Sequence, residues 1–511
     1  MQGIIDIPIP SHDLMILTLL GLIFGGLLVM LAGKWSEKGA QALASLVLLG
    51  GLALNVFLLL GPEVWSGGEV LYEVVWLGSA DSPIMNMGFR GDGLSTPIAI
   101  LILGLGLFSI LFSTVYMKNL KQPGLYYSLM VWFVAAMVGV IYATDLMQFF
   151  VFYESMLIPA FVLVYVYGVS EDPVKRSKNA LQFWIWTAAG GIVSLFAVFM
   201  LFGYAGTMSI STLTTTSIPV EIAKFIGIIF LLGFGMKLGL VPLHVWAPPV
   251  YGEAPIPVLV LLSGAMTKTA AYGVIRIVIP ILSEGLRGYA SGLMVISLIT
   301  MFYGAMMAIS QKDLKMMLAY SSISQLGYLM LGYSTMTSIG VNGAAFQLIN
   351  HGILASLTFF CAGAMKMKTG TMKFDKLGGL ASKMPVLATA YVIGALALAG
   401  TPPMSAFVGE WMIFAGVAER TALAGVGQPF YLIMTVLAVV ATGLTAAYYL
   451  WSIRRIFFGQ VPDGMEGVRD PPRLILVITG LMAFVVVILG VWPWMLWRFI
   501  GPVLAGVIGG G

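Results

Sequence analysis

Apolar runs of spanning length recur along the chain, near 14–32, 40–60, 94–117, 123–144, 146–167, 179–205 and 221–246. They continue near 255–282, 289–309, 316–336, 340–365, 385–418, 428–451 and 473–500. Each is close to the ~20 residues that an α-helix needs to cross a ~30 Å hydrocarbon core. The pattern therefore predicts an all-α integral membrane protein of about 14 transmembrane helices. Two runs do not read as single straight helices: 385–418 is too long, and 221–246 carries its prolines at one end. Both are predicted to be broken. The longest hydrophilic connection, 61–93, alternates in LYEVVWLG and is predicted to fold as a small hairpin over the membrane surface.

Basic residues orient these spans. With the N-terminus outside, 18 of the 26 lysines and arginines fall in inner loops, from Lys34 and Lys38 to Arg469 and Arg473. Four lie in outer segments: Arg90, Arg287, Arg420 and Arg498. The other four, Lys224, Lys237, Lys268 and Arg276, lie within spans. That asymmetry is what the positive-inside rule requires, and one miscounted helix would scramble it. Both termini are thus expected on the outer side of a cell inner (plasma) membrane. The opening MQGIIDIPIPSHDL has no basic n-region and leads directly into a full-length span, so no cleavable signal is expected.

Composition narrows the chemistry. The 511 residues are 59% hydrophobic and only 9% charged, with a mean hydropathy of +0.98; a soluble domain carries about a quarter charged residues. A single cysteine, Cys361, excludes an internal disulfide and a cysteine-held iron–sulfur cluster. Three histidines leave little for a metal site, and a haem held by two of them has nothing else to support it. No cofactor is expected in this chain. Its work must fall to charged side chains.

Several of those charges are predicted to lie deep in the membrane, where an ionisable group is costly without a partner, water or a task. Glu154 lies nine residues beyond Asp145, which marks the outer surface, and so about 13 Å down a helix. Lys268 lies eleven residues past Pro257, about 16 Å in. Lys237 precedes the break at Pro242, and Glu410 follows the Pro402–Pro403 break in ALAGTPPMSAFVGEWMIF. Glu154 and Lys237 read either as a structural ion pair or as proton-transfer partners. A buried pair contributes little to stability over apolar residues of like size, which favours transfer. Arg276 is expected to snorkel outward as an anchor. Asp145 fits a helix cap and a proton antenna equally. His244 and His351, the only buried histidines, are packing elements or relays; the break beside His244 can admit water.

A transferring group must change charge at modest cost. A buried carboxylate beside an ammonium does so, because separating the two removes what stabilises each charge. On this reading Lys237 gives up a proton when Glu154 moves away, Lys268 and His351 receive it, and Glu410 passes it on. Pro242 removes a backbone donor and frees carbonyls, leaving the lysine's surroundings polar and movable. The units 123–282 and 289–451 each hold five spans, with a proline break and a charge in the fourth. Five is odd, so the two are predicted to be inverted repeats. Residues 1–117 form an N-terminal three-helix unit, and 452–511 a loop and C-terminal helix.

These residues resemble the antiporter-like membrane subunits of respiratory complex I, a family shared with Mrp-type cation/proton antiporters and membrane-bound hydrogenases. The similarity runs through FRGDGLS, FFVFYESMLIPAFVL, GMKLGLVPLHVWAPPVYGEAPIPVLVLLSGAMTKTAAYGVIR, QKDLKMMLAYSSISQLGYLMLG, NHGILAS and AFVGEWMIF. The resemblance implies that Glu154 and Lys237 pair in the first half-channel, that Lys268 is the central lysine and that Glu410 is the terminal acid. A glutamate at 410, where L- and N-type relatives usually have lysine, resembles the M type (chain M, or subunit 4). Gln325 stands where many M-type relatives have histidine, so the link from Lys268 and His351 onward is expected to rely on water.

The function this implies is proton translocation in a complex I-like NADH:quinone oxidoreductase, a translocase subunit with no redox centre of its own. Iron–sulfur clusters, flavin and quinone are expected in partner subunits, among them L- and N-type subunits, with the lipid bilayer as the other partner and no nucleic acid. The alternatives are an Mrp-type sodium/proton antiporter subunit, a related membrane-bound hydrogenase or deazaflavin-dependent dehydrogenase, and a scaffold without transport.

Overall fold

In the computed structural model of the chain, which describes residues 10–79, 82–424 and 429–508, helices start and stop where the sequence punctuates them. Ser36 accepts the Gly39 N–H ahead of one helix, and Asp313 accepts those of Lys315 and Met316 ahead of another. Gly206 and Gly370, both left-handed, close two long helices.

Two helices, α1 (Ser11–Ala32) and α2 (Glu37–Leu60), precede an antiparallel hairpin of β1 (Glu69–Ser79) and β2 (Ser82–Asp92). The spans α3 (Ser95–Tyr116), α4 (Pro123–Tyr142), α5 (Leu146–Tyr167), α6 (Pro173–Ala205), α7 (Val220–Glu253) and α8 (Ile256–Arg287) follow. Next come α9 (Ala290–Ile309), α10 (Leu314–Ser334), α11 (Ser338–Thr369), α12 (Pro385–Leu398) and α13 (Ser405–Ala424). The last are α14 (Phe430–Phe457), α15 (Arg473–Val491) and α16 (Trp494–Ile508).

Among the described residues, twelve of these are long and apolar enough to cross a membrane, short of the fourteen expected. The two remaining runs differ for stated reasons. In α10, serines and Gln325 dilute the apolar character. The run 385–418 splits into α12 and α13 around Thr401–Met404, with a cis bond between Pro402 and Pro403. The other expected break is present too: the first helix of α7 ends at Leu238, Gly239 turns left-handed at φ 79°, and a short 3₁₀ turn leads to a second helix at Ala247. The final run is not continuous to residue 500. Pro493 has no N–H to extend α15, and α16 starts afresh at Trp494.

The hairpin lies where the alternation placed it. Gln148 clamps it to α5, accepting from the Gly88 N–H at 3.1 Å and donating to the Gly88 carbonyl at 2.8 Å. We call its end of the molecule the hairpin side.

At the centre run α8 and α11. The most apolar stretch of α8 is buried along its whole length, and that of α11 almost so. Large side chains such as Phe24, Ile192, Phe196 and Val436 face outward, as lipid contact permits. Lipid tails are as apolar as leucine, so helices associate in a bilayer through close approach rather than burial from water. Gly264 of α8 and Gly352 of α11 supply one such approach. A Cβ on Gly264 would lie 2.2 Å from Ser356 Oγ, and one on Gly352 would lie 2.9 Å from the Gly264 carbonyl oxygen. This crossing sits one turn from Lys268 and one residue from His351.

Candidate functional site

Glu154 sits at the end of the first segment of α5, which bends at Met156 three residues before Pro159. Lys237 occupies the last turn of α7 before its break and is fully buried. Its Nζ donates to the Tyr153 carbonyl at 2.6 Å, lies 3.4 Å above the Tyr153 ring and is 3.8 Å from Glu154 Oε1. A charge-assisted hydrogen bond would be about 2.7–2.9 Å, so the carboxylate is near the ammonium without being locked to it. Glu154 Oε1 has no hydrogen-bond partner among the described residues. Its room comes from α6: a Cβ on Gly191 would lie 2.1 Å from that oxygen. Across the break, the Trp246 indole donates to the Met236 carbonyl at 2.7 Å and ties the two halves of α7 together.

Lys268 stands between two π-helical turns of α8, Leu262–Met266 and Val274–Val278. Its Nζ donates to the Ser263 carbonyl at 2.6 Å and contacts Thr267 Oγ1 at 3.2 Å and His351 Nδ1 at 2.8 Å. No carboxylate lies within ion-pair distance of it among the described residues. The two residues come from helices 83 positions apart. The Gly264–Gly352 crossing is what lets them meet.

Glu410 is buried in α13, with Gly400 making room beside it: a Cβ there would lie 2.5 Å from Glu410 Oε2. Gln325 Nε2 approaches Glu410 Oε1 at 3.4 Å, and Gln347 Nε2 donates to Gln325 Oε1 at 2.9 Å. Gln347 lies four residues before His351, on the same face of α11. Asn350 donates to the Ser405 carbonyl at 3.0 Å, beside the Pro-Pro break. Gln347 Oε1, Asn350 Oδ1 and Ser405 Oγ are buried acceptor atoms with no protein partner among the described residues.

The structure therefore brings together Glu154 with Lys237, Lys268 with His351, and Gln325 with Glu410. His244 joins none of these directly. It packs edge-on against Tyr303, ring centres 4.6 Å apart, and its Nδ1 has no hydrogen-bond partner among the described residues. Asp145 has the geometry of a cap: it accepts the Met147 N–H at 2.8 Å and the Asn86 N–H of the hairpin at 3.2 Å. Arg276 overturns its expectation. It does not snorkel but is buried against Asp92, Nη2 to Oδ2 at 2.7 Å, with Nε donating to the Tyr272 hydroxyl at 2.9 Å. Snorkelling serves a cation with no buried partner, and Asp92 of FRGDGLS supplies one. Gln347, Ser263 and Gly191 were not singled out beforehand; the spacing of Gln347 from His351 was the one signal that could have marked it. Among the described residues, no group of three or more His, Cys, Asp or Glu is placed to hold a metal.

Residues 143–441 match the family model described as NADH:quinone oxidoreductase/Mrp antiporter, transmembrane. The chain belongs to this family. A family relative, an NAD(P)H-quinone oxidoreductase chain 4 of Nostoc sp., is 34% identical over 417 residues, 80% of this chain and 75% of its own length. A chain 4 of Synechococcus sp. is 36% identical over 377 residues, 73% of this chain and 69% of its own. Among solved structures, respiratory complex I from Thermus thermophilus contains a chain that superposes with a TM-score of 0.84 at 26% identity, covering 97% of this chain and 100% of that one. A chain of the Mrp complex from Dietzia sp. superposes with a TM-score of 0.85 at 22% identity, covering 98% and 97%, and shares the fold.

Proposed function

We propose that this chain is a proton-translocating membrane subunit, of the chain 4 or M class, in a complex I-like quinone oxidoreductase. Glu154, Lys237, Lys268 and Glu410 exchange the protons, with His351 against Lys268, His244 beside the α7 break as a further relay, and Gln325 orienting at Glu410. The observation that carries this is the 2.8 Å contact of Lys268 Nζ with His351 Nδ1, with no carboxylate in ion-pair reach among the described residues. Two bases in contact, both buried, accommodate one positive charge far more readily than two. A buried lysine whose charge is permanent is best held by an acid. A lysine met by an imidazole shares a mobile proton.

Glu154 acts on Lys237 at 3.8 Å, close enough to hold its charge and loose enough to leave it. Beyond His351, an amide does not relay a proton cheaply, so Gln325 and Gln347 orient rather than conduct. Water bound by the free acceptors of Gln347, Asn350 and Ser405 completes the step toward Glu410. We read 123–282 and 289–451 as the two inverted units, each contributing one broken span. The redox centres, with flavin, iron–sulfur clusters and quinone, belong to other subunits, among them L- and N-type relatives. The host is the cell's inner membrane, with both termini on the outer side. The chain 4 name of the relatives compared favours this assembly over an Mrp antiporter.

The test is Lys268→Met in the intact complex, incorporated in vesicles with assembly checked by native gel. Quinone-linked turnover and pH-gradient formation are expected to fall together. Wild-type rates of both in an assembled variant would refute the reading.

A further inference from the structure

A cavity of about 490 Å³ opens toward the hairpin side of the molecule. Its walls are the end of α2 (Leu59, Leu60), the start of α3 (Pro97, Leu101), the middle of α11 (Ile353) and the α15–α16 junction (Trp492). Apart from one residue they are apolar. The exception is Arg498 at the rim, whose guanidinium carbon lies 3.6 Å over the Trp65 ring. That face-on contact occupies the face of the guanidinium and leaves its N–H edges free. No hydrogen bond or ion pair engages them among the described residues. Trp65, Trp492 and Trp494 line the same cavity, and amphipathic rings of this kind favour the level of lipid headgroups.

We propose that this groove binds one glycerophospholipid, its phosphate on Arg498 and one acyl chain lying between α3 and α11. Shape alone would not select a lipid here, because a tail is as apolar in the bilayer as in the groove. The free guanidinium edge supplies the selection, since phosphate oxygens match its fork of donors. Charge complementarity thus picks a phosphate-bearing lipid over a neutral one. A second helix or partner subunit would bring no such requirement for phosphate. The tail would press on Ile349 and Ile353, which flank His351 in the chain and lie about 200° around α11 from it. It would therefore support the helix from the side opposite the Lys268 contact.

The test uses the purified complex in nanodiscs doped with a phosphatidylglycerol carrying a diazirine at the end of one chain, and with a diacylglycerol carrying the same chain. After irradiation, cross-linked peptides are mapped by mass spectrometry. The phospholipid probe is expected to label the α11 segment around Ile353 and the end of α15, and the diacylglycerol to label them about tenfold less, the worth of one charge-assisted contact. Arg498→Gln, a substitution at a partly exposed position, should bring the phospholipid signal down to the diacylglycerol level. Ile353→Trp, which fills the groove, should remove both. Equal labelling by the two probes, an unchanged signal in Arg498→Gln, or a partner subunit rather than lipid covering these segments would each overturn the proposal.

Discussion

Replacing Gly191 with alanine tests whether the placement of the Glu154 carboxylate, and not merely its presence, governs transport. The new methyl would lie 2.1 Å from Oε1, 2.4 Å from Cδ and 2.8 Å from Oε2. All three atoms belong to one group, so the carboxylate must retreat as a body, by at least about 1 Å to reach ordinary van der Waals separation. Lys237 cannot follow, because the Tyr153 carbonyl and ring hold its Nζ. The geometry of the 3.8 Å contact is therefore displaced. A misplacement of about 1 Å between reacting groups costs roughly 100-fold in rate. Overpacking costs about 1–3 kcal/mol of stability where neighbours cannot yield, and alanine returns about 1 kcal/mol over glycine in a helix. The complex should thus assemble while proton pumping falls by one to two orders of magnitude. Gly203→Ala is the control on the same helix: nothing lies within 4 Å of its Cβ position, so it gains the propensity without the clash and should pump normally. In the double variant, Glu154→Ala with Gly191→Ala should be no worse than Glu154→Ala alone, since both act through one contact. The assay is pH-gradient formation in vesicles, normalised to assembled complex. Wild-type pumping by Gly191→Ala would refute the reasoning.

Lys237→Arg should fail nearly as badly as Lys237→Ala, because arginine keeps its charge at every accessible pH; normal pumping by the arginine variant would make Lys237 a fixed counter-charge. Asp92→Asn removes the acid facing Arg276 and should destabilise the subunit by about 3–5 kcal/mol. Pairing it with Arg276→Met should recover much of that loss, read from thermal melting of the purified complex. Glu410→Gln should slow pumping and quinone-linked turnover in parallel, as expected where a blocked exit stalls a coupled machine; uncoupled loss of pumping alone would contradict it. Glu410→Lys should retain measurable turnover, but reduced, because the Gln325 amide must turn its oxygen to the ammonium and so give up the bond from Gln347, worth about 1 kcal/mol.

What could be read from the sequence, and what could not, divides along a physical line. Membrane helices announce themselves because lipid demands a long apolar run, and prolines mark breaks because a missing N–H cannot be disguised; α7 and the α12–α13 pair were legible for those reasons. Rise per residue is fixed as well, and counting it from Asp145 and Pro257 singled out Glu154 and Lys268, while the Pro-Pro break pointed to Glu410. Pairing across helices was not. Arg276 reads as a snorkelling cation until Asp92, 184 positions away, is seen against it. The Lys268–His351 contact depends on Gly264 meeting Gly352, and nothing in a list of glycines says which two touch. Orientation is harder still. That Gln325 presents its nitrogen to Glu410 follows from its oxygen accepting the hydrogen bond of Gln347, a choice made by a third helix. Gln347 therefore belongs to the path through geometry alone: it carries no charge, breaks no helix and has no unusual depth. A residue of that kind matters only by setting which end of its neighbour faces the acid. Its removal should be felt at Glu410 even though the two side chains do not bond each other directly.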